Sequence, residues 1–183
     1  MAGTSKIAQN GKWLLGAAGD VRAINLLHHA LTPPTPPPNL AGRKLDAFIT
    51  TKFIPALREC FETHGYATPD GNDDKEHMAQ QGSTILAVVN ATAYVIDGDY
   101  SWASDSSGIY ALGSGSAFAL GAIHALRHNK PIETPQQAKT IAVRALTITA
   151  RLDPYTGTPV QTQTQIKDTD TKKSTQHARN DKR

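Results

Sequence analysis

The run Thr84-Ile85-Leu86-Ala87-Val88-Val89 constrains the fold more than any other feature of the sequence. It is apolar throughout, the pattern of a strand covered on both faces. After Asn90-Ala91, a hairpin-sized gap, Thr92-Ala93-Tyr94-Val95-Ile96 reads as its partner. Asp97-Gly98-Asp99 is a turn, Tyr100-Ser101-Trp102 begins another strand, and Ile109-Tyr110-Ala111-Leu112 leads into Gly113-Ser114-Gly115-Ser116. A buried β region of this kind needs helices or a second sheet to cover it.

Helical patterns stand on either side. Trp13 to Ala18 is a short buried strand, broken at Gly19, with Asp20 placed to cap a helix through Val21, Ile24, Leu27 and Leu31. Five of the eleven prolines follow in the stretch 32–38, which reads as a stiff extended connection and not as an SH3-type ligand. A second helical pattern runs from Arg43 to His64 through Leu45, Ile49, Phe53, Leu57, Cys60 and Phe61, with Pro55 set to kink or divide it. Cys60 lies on the apolar stripe and reads as a small core residue. Thr68 to Gln81 is a polar loop.

Two helices come after the β region. Ala117 to His128 is rich in small side chains. Thr134, Pro135 and Gln137 mark the start of the next, whose stripe is Ala138, Ile141, Ala142, Ala145, Ile148 and Leu152. Val160 to Ile166 alternates like a polar edge strand. Helices that segregate in pairs around strands argue for a layered α+β architecture over a βαβ repeat.

Composition narrows the function. The 183 residues carry 19 basic and 16 acidic side chains, a net charge of +3. Lys167 to Arg183 holds six bases and three acids, so the whole excess belongs to that stretch, which reads as a disordered basic tail following a domain over residues 1–166. A neutral body gives no footprint for nucleic acid. One cysteine excludes a disulfide framework and a Cys-rich zinc site. No apolar run reaches the roughly 18 residues of a membrane helix, and the first residues lack the apolar stretch of a secretory signal. A cytoplasmic protein without metal or cofactor is expected. His124 and His128 stand four apart on a helix but have no third ligand. Gly113-Ser114-Gly115-Ser116 fits neither a dinucleotide fingerprint, nor a P-loop, nor a nucleophile elbow.

In combination these segments resemble the β-type peptidases of the proteasome, including bacterial HslV. Lys12-Trp13-Leu14-Leu15-Gly16-Ala17-Ala18-Gly19 before a helix is similar to the family's Gly-Lys, apolar, Gly-x-Ala-Gly strand. Ile109 to Ala117 resembles its Ala-Ile-Gly-Ser-Gly run. Asp153-Pro154-Tyr155-Thr156-Gly157 resembles its helix end with Asp, two residues, Ser and Gly. Thr4-Ser5-Lys6-Ile7 resembles the segment bearing the active-site lysine.

The resemblance implies the four-layer αββα sandwich of N-terminal-nucleophile hydrolases. It implies threonine-type peptide-bond hydrolysis, in which a threonine hydroxyl attacks a peptide carbonyl with its own α-amine as base. Carried over by motif, Lys6 is the lysine, Gly19 the oxyanion glycine, and Ser114, Asp153 and Thr156 the shell around the amine, with Thr156 in place of the commoner serine. Polypeptide substrate, a homo-oligomeric ring and an ATPase unfoldase are the implied partners. The family's first threonine strand and aspartate-bearing hairpin have no counterpart here, so the chain is expected to be N-terminally truncated and inactive. A non-catalytic structural or binding subunit, or another amidase of the class, are the alternatives.

Overall fold

A computed structural model describes residues 5–67, 80–128 and 130–165. The polar loop over 68–79, the basic tail over 167–183 and Thr4 lie outside the described residues.

Strand β1 (Ile7–Asn10) and strand β2 (Trp13–Gly19) form a hairpin closed at Gly11, whose φ of +59° suits a residue without a Cβ. Strands β3 (Ser83–Val89), β4 (Thr92–Ile96) and β5 (Trp102–Ala103) continue it into one antiparallel sheet in the order β1-β2-β3-β4-β5. The hairpin between β3 and β4 turns through Asn90 and Ala91, at φ +48° and +59°. Positive φ at both central residues is what a two-residue type I′ turn demands.

Helix α1 (Val21–His29) starts where the Asp20 carboxylate accepts from the Arg22 amide at 2.8 Å. It buries Ala23 and Leu27, while Val21, expected on the apolar stripe, is exposed at the first turn. The Arg43–His64 pattern divides into α2 (Arg43–Phe48), a π-helical turn (Ile49–Phe53) and α3 (Ile54–Thr63). Its buried residues Leu45, Ile49, Phe53, Leu57 and Phe61 recur every four positions. In an α-helix, four residues overshoot a full turn by about 40°. The wider π turn takes up part of that drift and keeps the stripe on one face. Pro55 follows the π turn directly, at the start of α3.

These helices cover one face of the sheet. Ile85, Ala87, Val89, Tyr94 and Ile96 are fully buried with Trp13 and Leu15 against Leu27, Leu45, Phe53 and Leu57. Trp13 stacks on Phe53 with ring centroids 4.0 Å apart, and its indole N–H donates to the Pro34 carbonyl at 3.0 Å. The proline stretch is thus anchored on the core, with Pro36 buried and Pro37 and Pro38 exposed.

The other face differs from expectation. Thr84, Leu86 and Val88 are half-buried, so β3 is fully covered on one side only. Helices α4 (Ser116–Arg127) and α5 (Pro135–Thr149) pack extensively on each other. The Thr134–Gln137 capping box is present in full. The α+β class holds, and the described residues supply one five-stranded sheet of the expected layers.

Two expected strands do not form. Ile109–Leu112, read as the strand before the Gly-Ser run, is irregular, and β5, the strand before it, is only two residues long. Residues 158–165 are in no ladder and are held by side chains instead. The Lys6 amide donates to Gln161 Oε1 at 2.9 Å. Gln165 Nε2 donates to the carbonyls of Lys12 and Val88, and its Oε1 accepts from the Ala91 amide. Alternation specifies a strand only where a second backbone is within reach.

Candidate active site

The best-formed polar cluster joins the start of α4 to the end of α5. Ser114 Oγ donates to Asp153 Oδ2 at 2.9 Å, and Thr156 Oγ1 donates to the same oxygen at 2.5 Å. Asp153 is itself fixed by continuation of the helix, its amide donating to the Thr149 carbonyl at 2.8 Å. The next turn then closes with the Thr156 amide on the Asp153 carbonyl at 3.2 Å. Asp153 is 5% exposed. The Thr156 hydroxyl, foremost, and then the Ser114 hydroxyl hold its carboxyl below the usual carboxylate range, against the opposing effect of burial.

The two glycines of the Gly-Ser-Gly-Ser run serve different ends. Gly113 has φ +90°, a backbone conformation that side chains disfavour. Gly115 is needed for space. A Cβ there would lie 2.5 Å from Thr149 Cγ2, 2.7 Å from Thr156 Oγ1 and 3.0 Å from Asp153 Oδ2. Sequence alone presents this run as a tight turn; the second glycine is what lets the turn press against the carboxylate.

The cluster lies beside the end of β2. The Cβ position of Gly113 is 3.7 Å from Ala18 Cβ, and Gly19 is the next residue of the strand. Gly19 has φ +123°, and a Cβ there would meet the Gly82 carbonyl at 2.7 Å and Ser83 Oγ at 2.8 Å. Lys6 immediately precedes the register pair Ile7–Gly16, and its carbonyl is 3.6 Å from the Cβ position of Gly16. Its side chain is exposed. Ser114, Asp153 and Thr156 are therefore in direct contact. Gly19 neighbours them through Ala18, and Lys6 joins β2 farther along.

The cluster presents hydrogen-bond acceptors. Both hydroxyls spend their protons on the carboxylate, which leaves their lone pairs as acceptors. A carboxylate backed by two such hydroxyls favours an ammonium or a hydrogen-bonding amine beside it. Among the described residues no group of three His, Cys, Asp or Glu side chains is arranged to hold a metal ion. Cys60 is buried, and burial pushes its thiol up, away from nucleophilic character. Among the described residues no helix is long and apolar enough to cross a membrane.

Gly115, Thr149 and Ser83 are parts of this region that motif reading passes over. Gly115 carried a signal, its place in the run; Ser83 carried none.

No family model matches the sequence, and no curated protein matches it. Solved structures do. BPH from Thiobacillus denitrificans in complex with epoxomicin is 22% identical, with a TM-score of 0.62 over 88% of this chain and 79% of that one. BPH on its own gives the same identity and TM-score over 88% and 78%. Eukaryotic HslV from Trypanosoma brucei is 21% identical over 84% of this chain and 76% of that one, with a TM-score of 0.49, and we draw nothing from it. The chain shares the fold of BPH.

Proposed function

We propose that the chain is a subunit on the proteasome-like peptidase scaffold, whose Lys6, Gly19, Ser114, Asp153 and Thr156 surround the place where a threonine-type nucleophile meets a peptide carbonyl. The hydroxyl–carboxylate–hydroxyl cluster of Ser114, Asp153 and Thr156 carries this reading. Its acceptors would hold the amine that serves as base. The Lys6 ammonium would lower the proton affinity of the attacking hydroxyl. The Gly19 amide would donate to the oxyanion, a contribution of about 3 kcal/mol in comparable sites. The fold shared with BPH, a protein solved with epoxomicin bound, supports a peptide-like ligand.

No nucleophile is assigned among the described residues, so the proposal for the 183-residue chain is that it supplies the surroundings and does not itself turn over peptides. Purified chain is incubated with fluorogenic peptides and with an N-terminal-threonine-directed epoxyketone, then analysed by intact mass. Neither turnover nor an adduct is expected. A covalent adduct mapped to Thr4 would instead make that residue the nucleophile.

A non-catalytic assembly subunit is the second reading. Phe118, Ile148, Leu152 and Tyr155, on and after α4 and α5, are large apolar side chains left exposed, which a partner subunit would cover. A homo-oligomeric ring, an ATPase unfoldase and a cytoplasmic setting belong to the same proposal. Light scattering of the purified chain separates a monomer from a ring.

A further inference from the structure

The proposed oxyanion donor, Gly19, is held by a group of polar side chains that lies on the far side of β2 from the Asp153 cluster. Ser83 pairs with Gly19 across the ladder and is 5% exposed. Its Oγ accepts from the Asp20 amide at 3.1 Å and shares a hydrogen bond of 2.7 Å with the Tyr66 hydroxyl. The same oxygen occupies the space where a Gly19 Cβ would be. The peptide linking Gly19 to Asp20 is therefore pinned by a single hydroxyl.

That hydroxyl is in turn held from two sides. The Gln81 carboxamide brackets the Ser83 backbone, accepting from its amide at 2.8 Å and donating to its carbonyl at 2.5 Å. Gln81 is buried and anchored to the turn before β5, its amide donating to the Gly98 carbonyl at 2.8 Å. Tyr66 follows α3; its amide donates to the Phe61 carbonyl at 2.8 Å and its ring meets the Phe61 ring edge-on at 4.9 Å. Neither support faces the carboxylate cluster.

We infer that Ser83, held by Tyr66 and Gln81, is a positioning residue that fixes Gly19 from both directions, holding the Asp20 amide that follows it and filling the space beside its Cα, and so sets the aim of the Gly19 amide, which belongs to the preceding Ala18–Gly19 peptide. A Gly at φ +123° has no side chain to restrict it, and such a residue drifts unless its neighbours hold it. An oxyanion donor is useful only when fixed before the charge develops. The inference rests on the proposed role of Gly19, but the geometry it concerns is read in the free chain.

The test is heteronuclear NMR on the full 183-residue chain, comparing Ser83→Ala, Ser83→Thr and Tyr66→Phe with the unaltered protein. Ser83→Ala should speed exchange of the Asp20 amide about tenfold, the loss of one hydrogen bond, and move the Gly19 amide resonance. Ser83→Thr keeps the hydroxyl and should restore both. Tyr66→Phe should move the Gly19 resonance in the same direction by less, and it serves alone if Ser83→Ala does not fold. A Gly19 resonance that stays put in Ser83→Ala and Tyr66→Phe overturns the inference. So does a failure of Ser83→Thr to restore it, with shifts spread evenly through β2 and β3. Absence of peptide chemistry would count against the proposed function and leave these readouts unchanged.

Discussion

Gly115→Ala places one methyl group where the structure has no room for it. The new Cβ falls 2.5 Å from Thr149 Cγ2 and 2.7 Å from Thr156 Oγ1, with Asp153 Oδ2 at 3.0 Å. Thr149 is buried, and its hydroxyl is committed to the Ala145 carbonyl at 2.9 Å, so it has little freedom to retreat. Overpacking of this kind costs about 1–3 kcal/mol. Moving Thr156 off a carboxylate forfeits a hydrogen bond to a charged group, itself worth about 1.5–3 kcal/mol. Because one displacement serves both clashes, we expect a loss of about 2–3 kcal/mol, not the sum. For a chain of this size that is a fall of about 4–12 °C in thermal midpoint.

Gly121, six positions along the same helix, supplies the control, since a Cβ there meets nothing within 4 Å. Gly121→Ala should stabilise by about 0.5–1 kcal/mol by restricting the unfolded chain. Thr149→Ser deletes the nearest obstacle, so adding it to Gly115→Ala should recover about 1 kcal/mol relative to additivity. Urea and thermal unfolding read the parent, the three single variants and the double variant. A Gly115→Ala variant within about 0.5 kcal/mol of the parent, the scale of a neutral surface change, would refute the close approach of this turn to Asp153.

Ala91→Gly should raise stability by about 0.5–1 kcal/mol in chemical denaturation, because Ala91 holds φ +59° at a hairpin position that glycine occupies without strain. Trp13→Phe keeps an aromatic ring against Phe53 but removes the donor to Pro34; a loss of about 1–2 kcal/mol is expected, with the proline stretch becoming more protease-sensitive. Asp153 has a folded-state pKa below its ordinary value, so its stabilisation is present above the carboxylate range near 4 and is lost as pH falls through the folded value. Asp153→Asn should therefore melt below the parent at pH 7, and the two midpoints should converge on acidification toward pH 3; a gap independent of pH would contradict the ionised assignment.

The elements that could be read from the sequence are those whose signals are local. The four-residue repeat from Leu45 to Phe61 and the Thr134–Gln137 cap each announce themselves within one or two turns of chain. The hairpin from β3 to β4 does so through length and apolarity. Strand β1 went unread because Ala8-Gln9-Asn10 has little apolar pattern, although Asn10-Gly11 is a hairpin signal. Ile109–Leu112 and 160–165 fail in the opposite way. Their patterns suit strands, but pairing needs a neighbour, and that is a property of the whole fold.

The site was legible only by comparison. Ser114 and Asp153 are 39 positions apart, and nothing in either segment alone says that they touch. A family resemblance names them together, and the folded chain joins them by a hydrogen bond of 2.9 Å. Spatial requirements such as Gly115 against Thr149, or Ser83 beneath Gly19, leave no periodic trace and appear only when the chain is folded.

The most direct test of the central claim is a crystal structure of the 183-residue chain in which the separations of Lys6 Nζ, the Gly19 amide nitrogen and Ser114 Oγ are measured. The account predicts that all three line one cleft, with Asp153 and Thr156 forming its wall. Lys6 and Gly19 opening on opposite sides of the sheet, with Ser114 near neither, would contradict it and remove the peptidase role of all five residues together.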